Sequence, residues 1–423
     1  MLAASTFVRS KPNIFWKFLP FWFFLIFFKF GASLHYTIIS PLGEKLLPLW
    51  LVGLLIGGGA LVQLLLDVPA GHLLDRYGYR RFLKIATINF FIAAVCFAFP
   101  LTRATYLLSL FFATFGWLFF GPGINAYILS HAPQTHAGKF ISLRDVFGSV
   151  GVVLASMALP FVLIFSPQYT GFILSILFLL ALIAIFFSPK DHQSVHAEIK
   201  LETQHHYIHR HYLGTTLRAI KKLNPASAML LLLNFSASFF YGIIWFVVPL
   251  VIVHQANAGL LSVGLGMFDF AIVVLGFIFG KLADTANRRT LIFFGLLLFS
   301  LSGMFLGFNF SWLFLLFGFL STSGDEMASI SLWSWLHKLD KNHANNGVIA
   351  GVINLSDDFG WMVGPAAAGL LYGLVGPSWA ILIGAVPIFL TWIIYQFMVR
   401  GQTLAIVNLN QIPAKPHRAR HKM

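Results

Sequence analysis

The sequence predicts an all-α polytopic membrane protein with twelve transmembrane helices, built as two pseudo-symmetric six-helix bundles. Three observations predict it. The 423-residue chain is 58% hydrophobic and only 10% charged, with mean hydropathy +0.82; a soluble domain carries roughly 25% charged residues. Apolar runs of bilayer-crossing length recur along it. In hydrocarbon such runs must be helical, because every backbone polar group needs an internal partner. Finally, two polar stretches occur twice, once in each half, the mark of a duplicated unit.

Hydropathy places the spans at 16–40, 47–71, 82–101, 105–130, 140–165, 168–188, 226–253, 259–282, 288–308, 311–336, 346–374 and 378–399. Residues 1–13 are short and basic and the first span is itself long enough to cross, so no cleaved leader is expected. The longest polar stretch, Asp191 to Asn224, divides the chain. An N-terminal bundle (1–190), a linker (191–224), a C-terminal bundle (225–400) and a tail (401–423) are expected.

An even number of spans puts both termini on one side. The loops on that side carry Arg76, Arg80, Arg81, Lys84, Lys139, Lys221, Lys222, Lys281, Arg288, Arg289, Lys338 and Lys341, while the opposite loops carry little beyond Lys45 and Arg103. Short basic loops stay inside the cell. A multi-pass protein of the cell (inner) membrane with cytoplasmic termini is therefore expected. The +14 net charge follows from this topology. The bases form no stripe with interleaved aromatics, so no nucleic-acid partner is expected. The single Cys96 excludes a disulfide framework and a multi-cysteine metal site.

The first repeated stretch is GHLLDRYGYRR (71–81), after the second span, with its partner GKLADTANRR (280–289) after the eighth. Two helices must reverse direction there within a few residues. Gly78 permits the tight turn, and Gly71 lets a neighbouring helix approach closely. Asp75 suits the N-terminus of an adjacent helix, where the macrodipole favours an anion. In the second copy Asn287 replaces Gly78; Asn is the commonest non-Gly visitor to left-handed backbone. The residues alone leave open a conformational latch or a structural turn. The second repeat pairs ISLRDVFG (141–148) with INLSDDFG (353–360).

With both repeats in view, the chain resembles a major facilitator superfamily transporter over nearly its whole length, closest in look to the drug and metabolite efflux (proton antiporter) branches. The family's loop signature runs Gly-x-Leu-Ala-Asp-Arg-x-Gly-Arg-Lys. Gly71, Leu73, Asp75, Arg76 and Gly78 match it, and Arg80 supplies a basic position. The second copy keeps Gly280, Leu282, Ala283, Asp284 and Arg288. The resemblance implies that these loops latch the halves in one access state and release them in the other. Helix five lacks the Gly-Pro pair usual in the drug-antiporter branch, and helix eleven carries Gly364–Pro365.

Spacing picks out polar stripes on four helices. Span one presents Lys29, Ser33, Tyr36 and Ser40; span four Thr114, Trp117, Gly121 and Asn125; span seven Asn234, Ser238, Tyr241 and Trp245; span ten Thr322, Asp325, Glu326, Ser329 and Trp333. These are the helices that the resemblance implies line a central substrate cavity. Asp67, Asp145, Asp269, Asp325, Glu326, Asp357 and Asp358 all fall inside spans. A charge at mid-bilayer costs about 2.5–3.5 kcal/mol on insertion scales, so such residues face protein or water and are functional candidates.

Asp325 and Glu326 are adjacent and cannot both ionise cheaply in a poorly hydrated site, so the pair is expected to exchange a proton, with Asp269 and Asp67 as alternative carriers. Permanent pairing with Lys29 is the other possibility. Arg144, Asp145, Asp357 and Asp358 lie nearer the basic face and are expected to form half-to-half ion pairs or to bind substrate or protons. GSVG (148–151) and GPAAAG (364–369) let helices five and eleven pack closely. In the linker, HHYIHRH (205–211) is read as solvated, with metal binding and pH sensing as alternatives; the tail PAKPHRARHKM suits contact with anionic lipid.

The function classes are a transporter working by alternating access or a membrane enzyme or receptor. No HExxH, GxSxG or phosphate loop is present, so neither an enzyme nor an ATP-driven pump is expected. The expectation is proton-coupled efflux of a small organic compound, a metabolite or drug-like molecule, by a monomer without cofactor or bound metal. Lys29 suits an anionic group on that compound, and a zwitterionic or siderophore-like solute would use both signs. Nutrient uptake by proton symport is the alternative.

Overall fold

The computed structural model describes residues 16–131, 137–190, 225–254, 258–308, 310–339 and 346–410. The His-rich linker and the basic tail lie outside them. The N-terminal half holds α1 (Leu19–Glu44), α2 (Leu49–Tyr77), α3 (Tyr79–Ala98), α4 (Arg103–His131), α5 (Ala137–Ile164) and α6 (Pro167–Phe187). The C-terminal half holds α7 (Pro225–His254), α8 (Ala258–Thr285), α9 (Arg288–Leu306) and α10 (Trp312–Leu339). Its last helical stretch, Asn346–Asn410, breaks at Gly376 (φ 82°, ψ 173°) into α11 (346–375) and α12 (377–410). A glycine in the left-handed region followed by Pro377 is a helix stop joined to a helix start.

Ten stretches among the described residues are long and apolar enough to cross a membrane, one of them, Leu355–Met398, running across the Gly376 break. Helix α10, with Asp325 and Glu326 at its centre, is not among them. The first span ends before Pro41 in the sequence, yet α1 runs on to Glu44 with Pro41 buried inside it. Membrane helices tolerate proline where neighbouring groups satisfy the freed carbonyl.

The halves repeat one packing scheme. Helix α1 packs on α5 and α7 on α11; α3 packs on α4 and α6, and α9 on α10 and α12. Glycines set these approaches. Gly151 of α5 lies against the Ile26 carbonyl of α1, and Gly360 and Gly364 of α11 lie against the Phe235 and Phe239 carbonyls of α7. A Cβ at any of them would collide with backbone, the small-residue packing that lets membrane helices approach.

The turns at the basic face differ between halves. Gly78 adopts φ 92° between α2 and α3, and its N–H donates to the Leu74 carbonyl at 2.9 Å. Asn287 does not enter the left-handed region. It sits at φ −69°, ψ 109° and caps α9, its Oδ1 accepting from the Arg289 N–H at 3.0 Å. An N-cap side chain satisfies an amide that has no intrahelical partner, so Asn serves this turn as a cap. Arg80 Nε donates to the Ile185 carbonyl at 3.0 Å and its Nη2 donates to Phe186; Tyr127 Oη donates to Pro189 at 2.8 Å. These side chains take up carbonyls left open where α6 ends.

Candidate functional site

The halves meet tightly at the face opposite the basic loops. Glu44 at the end of α1 pairs with His254 at the end of α7 at 2.9 Å, and Ser40 Oγ donates to the Phe246 carbonyl at 3.0 Å. Tyr36 meets Trp361 edge to face, ring centroids 6.0 Å apart. Gly53 and Gly57 of α2 lie against the carbonyls of Pro365 and Met362 of α11, and Gly369 lies against that of Leu49.

Deeper in, the halves separate around a cavity of about 710 Å³, lined from α1, α4 and α5 on one side and α8 and α10 on the other. It reaches toward the basic face, where exposed Asn125 and half-buried Gly280 line it.

Of the residues singled out by sequence, the cavity gathers Lys29, Trp117, Asn125, Arg144, Asp145, Asp269, Glu326 and Gly280. Lys29 Nζ lies over the rings of Trp117 (5.1 Å to the centroid) and Phe120 (5.4 Å). Gly148 leaves room for its stem. Arg144 does not bridge the halves. Its Nη2 pairs at 2.6 Å with Asp145, its neighbour on α5, and its Nη1 donates to Asn125 of α4. The two charges are thus satisfied inside one half, because adjacent residues near the end of a helix reach each other more readily than a partner across a water-accessible gap.

Ser33, Asn234, Tyr241, Trp245, Asp325 and Trp333 are not in the lining. Tyr241 Oη donates to Asp325 Oδ2 at 2.9 Å inside the C-terminal half, and Ser238 Oγ donates to Asp357. Trp333 is 40% exposed. Asp325 and Glu326 thus divide: one turns to Tyr241 and the other to the cavity. Neighbours on an α-helix point about 100° apart. No ion pair joins Lys29 to either among the described residues.

Among the described residues, one hydrogen bond crosses between the halves in the cavity lining, and one pair of carboxyls faces across the α2–α11 contact. Ser149 Oγ of α5 donates to Asp269 Oδ1 of α8 at 3.0 Å. Asp67 of α2 and Asp358 of α11 lie close enough across the α2–α11 contact for each carboxyl to act on the other. Two carboxyls so placed can bond to each other only with a proton between them. The sequence marks both acids but not their meeting. It gave no sign of Ser149, a lone hydroxyl in a glycine-rich run. Of the latch residues, Gly78, Arg80, Gly280 and Arg288 are described; Gly71, Asp75, Arg76 and Asp284 lie outside the described side chains.

Twin helical bundles with a charged cavity at their junction, sealed at one face, define a membrane transporter. The comparisons say which kind: the Major Facilitator Superfamily model matches residues 21–355 and 230–417, and the chain belongs to that superfamily. A 99-residue segment is 33% identical to mouse Protein spinster homolog 3, covering 21% of this chain and 19% of that protein.

The fold is shared with a bacterial homologue of the human lysosomal transporter Spinster in an inward-facing, unoccupied conformation (TM-score 0.68, 13% identity, 92% of this chain and 98% of that one). It is shared also with a D-xylose–proton symporter (0.65, 15%, 89% and 97%). A POT family transporter in complex with a thioalcohol-conjugated peptide is similar too (0.64, 14%, 90% and 96%).

Proposed function

We propose that the protein is a proton-coupled exporter of a small organic solute in the cell (inner) membrane, with both termini in the cytoplasm. The observation that carries this reading is the cavity itself: charged groups from both halves line it, and it is closed at the face away from the basic loops. The basic loops support an open side toward the cytoplasm, the side from which an exporter loads. Solute binds in the cavity as a monomeric protein rocks between access states, and no cofactor takes part.

Protons travel on carboxyls. The Asp67–Asp358 pair is the foremost carrier: the two carboxyls act on each other across the α2–α11 contact, and they attract only while they share a proton. Losing that proton would set two carboxylates against each other and favour separation of the halves. Asp269 and Asp325 are further carriers, each held by a hydroxyl. The loops at Asp75, Arg76, Asp284 and Arg288 act as the latch, as the family resemblance implies.

The second reading is uptake by proton symport. The same carboxyl pair serves it, and the fold is shared with a D-xylose–proton symporter.

The test is solute flux in inside-out vesicles under an imposed pH gradient. Uphill solute movement against the proton flow is expected; movement with it selects symport. At least one of Asp67→Asn, Asp269→Asn, Asp325→Asn and Asp358→Asn should keep solute binding and lose gradient-driven accumulation. If all four accumulate solute like the unaltered protein, proton coupling through these acids is wrong.

A further inference from the structure

Two charged side chains in the cavity lack a counter-ion in contact among the described residues. Lys29 has ring faces beneath it but no ion pair or hydrogen bond. Arg144, the other cation in the lining, is engaged by Asp145 and Asn125. Asp269 accepts from Ser149. Glu326 has no hydrogen-bond or ion-pair partner among the described residues, and the charged groups that act on it are all acids: Asp325, Asp145 and Asp269. Lys29 stands on the N-terminal half and Glu326 on the C-terminal half, and both face one space.

Resting on the transporter reading above, we propose that the transported solute is amphoteric. Its anionic group, a carboxylate, docks on Lys29, its ammonium docks on Glu326, and an apolar spacer crosses between them. An uncompensated charge inside a membrane protein is costly, and removing one member of a buried pair costs more than the pair is worth. A solute with both signs answers both residues at once and brings no net charge into the cavity. A simple anion would leave Glu326 unanswered and meet the repulsion of three more acids. A simple cation would leave Lys29 unanswered and be repelled by it. The spacer is apolar because the same lining carries Leu25, Ile124 and Val152 from one half and Ile272 and Ile330 from the other. The volume suits a small molecule. Because its two ends sit on different halves, the bound solute also ties the halves together.

The test is equilibrium binding and thermal stabilisation of the purified full chain in nanodiscs, with no pH gradient. The probes are γ-aminobutyrate, ε-aminocaproate and ω-aminocaprylate, each beside the n-alkyl carboxylate and the n-alkylamine of the same length. At least one amphoteric probe should bind about thirtyfold or more tightly than both matched compounds, the effect of leaving one buried charge unpaired. Glu326→Gln should erase the advantage over the carboxylate, and Lys29→Met the advantage over the amine, while Lys29→Arg keeps it. Thermal unfolding without ligand checks that each variant is folded; if Lys29→Met is not, Glu326→Gln decides.

The inference is overturned if the amine or carboxylate binds as well as the amphoteric probe, if Glu326→Gln leaves the preference unchanged, or if no amphoteric probe binds. Proton coupling is judged separately by vesicle flux. A solute pumped without the Lys29–Glu326 preference would sink the amphoteric class and leave the transporter reading standing. Amphoteric binding without gradient-driven flux would do the reverse.

Discussion

In the N-terminal half the charge that faces the cavity from α1 is an ammonium, and aromatic rings hold it. In the C-terminal half the inward charges are carboxyls: hydroxyls hold Asp269, Asp325 and Asp357, and Glu326 faces the cavity with no such partner among the described residues. The helices concerned are counterparts: α1 with Lys29 answers α7 with Ser238 and Tyr241, and α4 with Trp117 answers α10 with Asp325 and Glu326. One duplicated scaffold therefore carries two chemistries.

The difference runs through the packing. Around Lys29, Phe28 stacks on Phe120 with centroids 4.1 Å apart and meets Phe90, Trp117 and Phe178. The corresponding region of the C-terminal half is threaded by hydrogen bonds such as Tyr241 to Asp325 and Ser238 to Asp357. Rings give a fixed wall, since lost aromatic contacts are not replaced in lipid. Hydroxyl-to-carboxyl bonds can rearrange when a proton arrives. On the proposed reading the first half grips and the second half switches.

Removing a ring from the fixed wall should have the largest effect on stability. Phe28→Ala is expected to cost about 3–5 kcal/mol, the range for a buried phenylalanine, read as a fall in thermal stability in nanodiscs. Phe299→Ala, whose ring meets Phe240 and Tyr241, should cost less. Equal losses would erase the distinction between a ring-built and a hydrogen-bonded half.

A smaller effect is expected where the halves touch. A Cβ at Gly57 collides with the Met362 carbonyl, while at Gly58 nothing lies within reach. Gly57→Val should destabilise the closed face by about 1–3 kcal/mol, lowering its population about five- to 150-fold. Spin-label distances across that face should lengthen for Gly57→Val and stay put for Gly58→Ala. Parallel behaviour of the two variants would show that the α2–α11 approach does not seal it.

The smallest effect concerns the Glu44–His254 pair. Its side chains are 30% and 52% exposed, and a pair so open to water contributes about 0–1 kcal/mol. Glu44→Gln should change the same spin-label populations by at most about fivefold. A larger shift would make charge, rather than glycine packing, the principal seal.

Twelve apolar stretches, two halves and the repeats that relate them were legible in the sequence, because bilayer length, helical periodicity and turn chemistry are local properties. Gly78 is an instance: the need for a reversal in a few residues announces a positive φ, and the structure has it. Asn287 shows the limit. The residue was visible as a turn former, but whether it bends the backbone or caps a helix depends on how the adjoining helices end. The unbroken passage of α1 through Pro41 was hidden for the same reason, since neighbouring groups decide whether a proline ends a membrane helix.

The sequence by itself determined which residue types sit at membrane depth and on which stripe, since hydropathy and spacing suffice for that. Only the tertiary structure decided which of them meet. Asp325 and Glu326 are adjacent in the chain, and the rotation of α10 against α7 sends one to Tyr241 and the other to the cavity. Arg144 turned to its own neighbour. Asp67 and Asp358, far apart in sequence, came close enough to act on each other. Helix rotation and cross-half contact are set by packing among distant segments, with glycines fixing the approach, and no local pattern encodes them.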